Sequence, residues 1–353
     1  MKVLQIIDKL NVGGAERVAV DLTMLLHPSV SVKFLCLLDE GDLDEELTSQ
    51  GIDVIYLRRE NKFNPLTLIK LNKVLKQFDI IHIHSRHVLR YVALTRFLFP
   101  FFRSYKIVFH DHFGRIDSDT TITPYLKYAI RSCNAYVGVS QSLVNWARAH
   151  KLNGFVTLLG NIILNGSDNI TNNSSAKIIV IGNFRPQKNY EFLVELIAQL
   201  PKELKIDLYG RIVDQHYYNT ILKEIETVGV ENQITLITNV INVSPLIHNY
   251  MLGLHCSSSE TGPLVAIEYL SKQLPFVMYD TGEVAEVLKS NSYELIQSDF
   301  KVDTWKAVIM KLISNAQYHT KMRNKIQYIY TANYSKENYL GKCLSVYQKI
   351  LNS

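Results

Sequence analysis

Two acids eight residues apart, Glu260 and Glu268, close the segment Ser257-Ser258-Ser259-Glu260-Thr261-Gly262-Pro263-Leu264-Val265-Ala266-Ile267-Glu268. The segment leaves a short apolar run and enters an amphipathic one, so it reads as the loop between a strand and a helix. Gly262 lets backbone come close to a ligand. Pro263 suits the first turn of a helix, where its missing N–H costs nothing. The N–H groups of Leu264 and Val265 then point out of a helix N-terminus, a place that favours a phosphate. Glu260 falls in the loop before that terminus, and Glu268 lies more than a turn into the helix. One carboxylate on each side of a phosphate site can hold hydroxyls at both ends of a nucleotide sugar. An acid beside a helix start, taken alone, is explained by the macrodipole. Small residues, Gly-Pro and spaced acids together point to ligand binding.

A second segment, Gly182-Asn183-Phe184-Arg185-Pro186-Gln187-Lys188-Asn189, also ends an apolar run and opens a helix. Its cations Arg185 and Lys188 suit a diphosphate. A departing nucleoside diphosphate gains charge as its bond to the sugar breaks, so cations there favour the transition state over the ground state. The alternative is solvated surface charge. A third, Gly13-Gly14-Ala15-Glu16-Arg17, either lets backbone approach a phosphate or sugar or makes a tight turn. A fourth is Phe109-His110-Asp111-His112. His110, at the end of a strand, can donate to a sugar hydroxyl or a phosphate; a metal site and a buried histidine are the rival readings. His82, His84 and His87 are near in sequence, but their spacing gives no geometric reason for a metal cage. No Asp-x-Asp pair suits a divalent ion with a diphosphate, so no metal and no cofactor are expected. Residues 89–106 mix aromatics with Arg90, Arg96, Arg103 and Lys106. Such a stretch lies in a membrane interface or packs as a helix on its own sheet.

These loops need a scaffold, and the chain supplies a rhythm for one. Apolar runs at 3–7, 31–38, 53–57, 80–84, 106–109 and 135–139 alternate with helical or loop segments, including a helix at 16–26. That is the βαβα pattern of a parallel sheet with helices on both faces. It stops at the polar stretch 164–177, the best linker in the chain. It restarts with strands at 178–181, 205–209, 234–237, 252–256 and 276–279 and a helix at 190–200, and ends in an amphipathic helical tail from 305 to 351. The reading is α/β, with two Rossmann-like domains facing across a cleft: residues 1–164, then 177–333. In open α/β sheets, ligands bind beyond the carboxyl ends of the strands, where all four motifs fall.

Bulk composition agrees. The 353 residues exceed one ordinary core. Hydrophobic residues at 47% and charged residues at 20% describe a globular chain. A net charge of +5 is too weak to argue for nucleic acid but suits phosphate-bearing substrates. Cys36, Cys133, Cys256 and Cys343 are far apart in sequence, so they read as reduced thiols. Residues 1–8 form a strand pattern without the apolar core and cleavage site of a signal peptide. No run approaches the roughly 20 apolar residues of a membrane-spanning helix. A cytoplasmic protein is expected, for which the sequons at Asn165, Asn169, Asn172 and Asn173 mean little.

Taken together, these segments resemble the GT-B glycosyltransferases, and within them the retaining family 4. The matches are Gly13-Gly14, the strand-ending His110, the loop Gly182…Lys188, the turn Tyr209-Gly210-Arg211, Val139-Ser140-Gln141-Ser142, and the acid segment from Glu260 to Glu268. The resemblance covers almost the whole chain, and the acid segment is its most specific part. It implies that Glu268 contacts the donor ribose, Glu260 the hydroxyls of the transferred sugar and Lys188 the diphosphate. It places His110 near the reacting sugar and has the C-terminal helix, about 334–353, cross back onto the first domain. It further implies metal-independent transfer with retention, by attack on the face the leaving group departs from, a donor phosphate oxygen taking the acceptor proton. The donor would be UDP- or GDP-linked and the acceptor a saccharide or lipid-linked saccharide. The setting would be bacterial surface polysaccharide or glycolipid assembly, with the protein cytoplasmic or peripheral on the inner face of the plasma membrane against anionic lipid. Two departures stand out. Asn183 occupies the position usually held by Arg, with Arg185 two residues on as a substitute cation. Pro263-Leu264 replaces the commoner Phe-Gly and removes one N–H from the helix start. The rival readings are a nucleotide-sugar 2-epimerase of the same fold, an inactive scaffold subunit, and an exported sugar-binding protein, which would need the missing export signal.

Overall fold

In a computed structural model of the chain, residues 101–103, 115, 117, 118, 165–174 and 241 are outside the description, as are the side chains of Ser175 and Ala176. Most of the linker stretch, its four sequons and Arg103 therefore lie outside the described residues. The chain forms two compact units, one of Met1–Leu164 with Lys336–Ser353 and one of Asn165–Ser335.

The first unit holds a sheet of β1 (Lys2–Ile7), β2 (Ser31–Cys36), β3 (Val54–Tyr56), β4 (Ile80–Ile83), β5 (Lys106–Asp111), β6 (Ala135–Gly138) and β7 (Val156–Leu158). Its order is β3-β2-β1-β4-β5-β6-β7, with every pairing parallel. The second unit holds β8 (Ser175–Ile181), β9 (Lys205–Tyr209), β10 (Ile234–Ile237), β11 (Tyr250–His255), β12 (Phe276–Tyr279) and β13 (Ile296–Gln297). Its order is β10-β9-β8-β11-β12-β13, again parallel throughout. A parallel sheet covered by helices on both faces is dry on both, which explains strands such as Ile80–Ile83 that are buried at every residue.

The expected strands all appear. The short edge strands β7 and β13 go beyond the sequence reading, because two or three residues carry no period of their own. The first helix, Gly14–Leu26, begins two residues before the expected start, with Gly13 as its N-cap. The helical tail is three helices, Val302–Ser314, Ala316–Tyr334 and Lys336–Leu351. The last buries Tyr339, Cys343, Tyr347 and Ile350 along one stripe at helical spacing. All four cysteines are free and buried.

Strand order reverses between β1 and β4 in the first sheet and between β8 and β11 in the second. At such a switch point, connections leave in opposite directions and open a crevice at the carboxyl ends. The loop after β8 carries Gly182 to Lys188, and the loop after β11 carries Ser257 to Pro263. The two cation- and acid-bearing motifs of the second unit thus leave neighbouring strands at its switch point.

Candidate active site

The loop after β8 is laced to the loop after β9. Gly182 N–H donates to Tyr209 O at 2.8 Å, and Phe184 N–H to Arg211 O at 2.9 Å. Arg211 N–H in turn donates to the Asn183 side chain at 3.1 Å. Gly210 sits so close to Gly182 that a Cβ there would collide with the Gly182 carbonyl, backbone against backbone. Gly182, Asn183, Gly210 and Arg211 therefore form one rigid two-loop edge. Asn183 serves that edge locally, which gives a physical reason for an amide where the resemblance expects a guanidinium. Arg185 is exposed and makes no ion pair among the described residues. A short turn, Pro186–Lys188, then aims Lys188 back across the strand end, and Asn189 takes a left-handed conformation to enter the helix Tyr190–Gln199.

Lys188 Nζ meets Glu260 Oε1 at 2.6 Å. A second tie joins the same loops where Ser258 N–H donates to Gln187 O at 2.8 Å. Burial works to raise the Glu260 carboxyl. The Lys188 ammonium, joined by His255 and Ser257, outweighs burial and holds the carboxyl below the usual carboxylate range. The Glu260 side chain keeps 22% exposure, so a ligand can reach it. His255, the last residue of β11, lies beneath, its Nε2 3.9 Å from Glu260 Oε1. Burial first and the Lys188 charge second push this imidazole down to about 4. Neither ring nitrogen of His255 reaches a hydrogen-bond partner in another described residue. It is a neutral ring with polar capacity left over beside a carboxylate.

From the other side, the start of the helix Gly282–Ser290 supports the acid loop. Glu260 N–H donates to Thr281 Oγ1 at 3.0 Å, and Glu283 N–H donates to Thr261 O at 2.8 Å. Gly282 has φ +76°, and a Cβ there would come within 2.9 Å of Glu260 O. Only glycine takes that conformation without strain. The helix after the loop runs Leu264–Ser271 with Pro263 as N-cap at ψ 110°, one position earlier than the sequence reading placed it. No side chain caps this end, so the amides of Leu264 and Val265 remain at an open helix N-terminus, with Gly262 just before it. Ala266, Ile267, Tyr269 and Leu270 are buried, while Leu264, Val265 and Glu268 share the half-open face. The second unit thus brings Lys188, Glu260, Glu268 and an uncapped helix start onto one edge.

In the first unit the motifs have other surroundings. At Gly13 a Cβ would collide with the Glu16 carboxylate, which folds back over the cap from the third helical position. Ser140 is nearly buried and caps the helix Gln141–Ala149, accepting from Leu143 N–H at 3.3 Å. His110 is wholly buried, and its Nε2 bonds Leu159 O at 2.9 Å. The sequence leads one to expect His110 near the reacting sugar; in the structure its ring has no solvent-exposed surface. Burial pushes it down to about 4, and burial also lowers His82, His84 and His112 well below the ordinary histidine value. The sequence also gave no reason for a metal cage, yet His82, His84 and His110 each offer a ring nitrogen within 4.8 Å of the others.

The sequence reading missed His255, Thr281 and Gly282. A polar residue closing the otherwise apolar strand Tyr250–His255 was the available signal for the first. The other two announce themselves only through contact with the acid loop.

The profile of the glycosyl transferases group 1 matches residues 167–328, and that of glycosyltransferase family 4 matches residues 12–161. Parallel α/β units of this kind, with these profiles end to end, define a group 1 glycosyltransferase of GT-B architecture, and the chain belongs to that family. It is similar to the capsular polysaccharide biosynthesis glycosyltransferase CapH of Staphylococcus aureus, 26% identical over 98% of this chain and 100% of that one. Among solved structures it resembles Anabaena HepE in complex with UDP and glucose, with a TM-score of 0.83 at 17% identity over 99% of this chain and 100% of the other. It also resembles S. aureus TarM, in a complex containing UDP, with a TM-score of 0.77 at 13% identity over the full length of both chains.

Proposed function

We propose that this glycosyltransferase moves a hexose from a UDP-sugar to a saccharide or lipid-linked saccharide acceptor in bacterial surface polysaccharide assembly, with retention and without a divalent ion at the diphosphate. One observation carries the reading: the Lys188–Glu260 pair at the switch point of the second sheet, beside an uncapped helix start. An ammonium has three donors, so Lys188 can keep Glu260 and still bind a diphosphate oxygen. The amides of Leu264 and Val265 take another phosphate oxygen, and exposed Arg185 adds the cation that Asn183 lacks. Glu260, held ionised, accepts from hydroxyls of the transferred sugar, and Glu268 from the ribose. As the glycosidic bond breaks, charge grows on the diphosphate, where Lys188 and the helix N-terminus are already oriented. A phosphate oxygen of the departing group then takes the acceptor proton. The relatives support the setting: CapH by its name belongs to capsule synthesis, and HepE has been seen with UDP and glucose.

The acceptor side has support in the first unit. The neighbouring helices Pro65–Leu75, Arg86–Leu98 and Pro124–Arg131 contain no Asp or Glu and carry Lys70, Lys73, Arg90, Lys127 and Arg131. They also expose Leu66 at 76% and Phe97 at 64%, and Tyr125 and Tyr128 on the third helix are exposed as well. Apolar tips set among cations fit an anionic lipid surface, where a lipid-linked acceptor and the cytoplasmic donor pool meet. No described helix is long and apolar enough to cross a membrane.

The test is a thermal-shift screen of nucleotide sugars followed by transfer assays. A bound donor raises the melting temperature by mass action, and the anomer of the product is read by NMR. A UDP-hexose should stabilise the protein and give a product of unchanged anomeric configuration. Conversion of donor to its 2-epimer, or inversion in the product, would overturn the reading.

A further inference from the structure

The buried histidines of the first unit need an account of their own. Side chains alternate along a strand, so His82 and His84 share one face and His110 and His112 share one. β4 and β5 pair Ile83 with Phe109, which sets His84 beside His110. The rings converge: His82 stacks on His84 at 4.6 Å between centroids, His84 lies 5.6 Å from His110, and His110 lies 4.3 Å from His112.

Each of three rings is held from behind at one nitrogen. His110 Nε2–H donates to Leu159 O, and His84 Nε2 pairs with Gln5 Oε1 at 2.7 Å. His82 Nδ1 pairs with the Tyr347 hydroxyl at 2.6 Å. That leaves His110 Nδ1, His84 Nδ1 and His82 Nε2. The first and last have no hydrogen-bond partner among the described residues, and His84 Nδ1 lies 3.2 Å from His112 Nε2. Packing of neutral rings explains the burial and the stacking. It does not explain two ring nitrogens buried without a hydrogen-bond partner, an arrangement that carries a desolvation cost. A carbonyl, an amide oxygen or a hydroxyl behind each ring is instead how proteins orient imidazoles that ligate a metal.

We propose that His82, His84 and His110 bind a divalent transition-metal ion of the zinc class, with His112 supplying the fourth nitrogen. Imidazole nitrogens suit such ions. Nitrogens at about 2.0–2.1 Å from a tetrahedral centre lie roughly 3.4 Å apart, so closing from 4.8 Å needs side-chain rotation and no change of strand register. His82, His84 and His110 are buried and His112 is half-buried; four protein nitrogens would leave no open position, as in structural rather than catalytic metal sites. Tyr347 belongs to the helix Lys336–Leu351, so the ion would fasten that C-terminal helix to β4. The proposal rests on no part of the transfer reading, and its test uses no activity.

Untagged full-length protein, stripped by chelator, is titrated with Co²⁺. The expected result is one ion per chain with the intense visible band of tetrahedral cobalt, and a rise in melting temperature. X-ray absorption at the cobalt edge should show a nitrogen shell with imidazole scattering. His82→Gln should weaken binding at least tenfold, and Tyr347→Phe, which keeps all four rings, by 10- to 100-fold. No saturable binding, a shell containing sulfur, or unchanged affinity in His82→Gln overturns the proposal. Should the variant fail to fold, the wild-type absorption spectrum decides by itself.

Discussion

At the scale of single residues, the proposed chemistry turns on the pair Lys188–Glu260, in which the ammonium helps hold the carboxyl in its charged form. Lys188→Ala removes the cation proposed to face the leaving group. A fall in kcat of about 10²-fold or more is expected, the size seen when one such donor is deleted, and steady-state kinetics with saturating donor will measure it. The same variant frees Glu260 to the pull of burial, so its carboxyl should titrate higher than in the parent, readable in the acid limb of the kcat/KM profile. Asp21 offers a test of stability. Burial raises its carboxyl to about 6 against the opposing pull of Arg17, which lies 2.6 Å away. The native state therefore keeps a proton that the unfolded chain, with an ordinary aspartate near 3.8, has already lost. More protons bound in the native state means stability falls as pH rises through that window. Between pH 4 and 6 the parent should lose about 1–3 kcal/mol relative to Asp21→Asn, by urea unfolding at each pH. A flat difference would refute the assignment. Of these residues, Glu260, Glu268 and Lys188 stand out in the sequence, since glycine, proline and charge after an apolar run are local signals. His255 does not, because a single histidine ending a buried strand looks like any other core residue until its neighbour is known.

At the scale of elements, the site is a matter of loops braced by other loops. The acid loop rests on the start of the helix Gly282–Ser290 through Thr281, Gly282 and Glu283. Gly282→Ala forces a side chain into a left-handed conformation and against the Glu260 carbonyl. A loss of about 1–3 kcal/mol is expected, with a fall in kcat larger than the stability loss explains, because the carbonyl that must move belongs to Glu260, the residue proposed to contact the donor. Denaturation and kinetics on the same preparation separate the two. Glycine at 282 is visible in the sequence, but its purpose is not: Thr-Gly before a helix reads as an ordinary turn. Gly182 and Gly210 share that ambiguity: the Gly182 carbonyl pressed against Gly210 explains the second, and the Tyr190 hydroxyl and Lys188 chain over Gly182 explain the first.

At the scale of the whole molecule, charge distribution makes the prediction. The chain carries only +5 in all, yet three adjacent helices of the first unit carry cations, exposed apolar side chains and no acids. The protein should sediment with vesicles containing anionic lipid at low salt and not with neutral vesicles. Leu66→Glu with Phe97→Glu should abolish that binding while leaving the melting temperature within a degree or two, since both side chains are already in water. Binding that ignores lipid charge would refute the assignment.

The sequence by itself determined the elements and their chemistry. Strand and helix periods, a glycine or proline at an element's end, and an acid or cation in the following loop are set within a few residues of each other, so they can be read along the chain. The tertiary structure alone decided who meets whom. Lys188 and Glu260 are 72 positions apart and become partners because β8 and β11 are neighbours at a reversal of strand order. His110 lies in a buried cluster with His82 and His84 because β4 lies beside β5, and Tyr347 packs against His82. Parallel neighbours are joined through crossovers, and which strands become neighbours depends on the packing of the entire sheet, a property no local stretch of sequence contains.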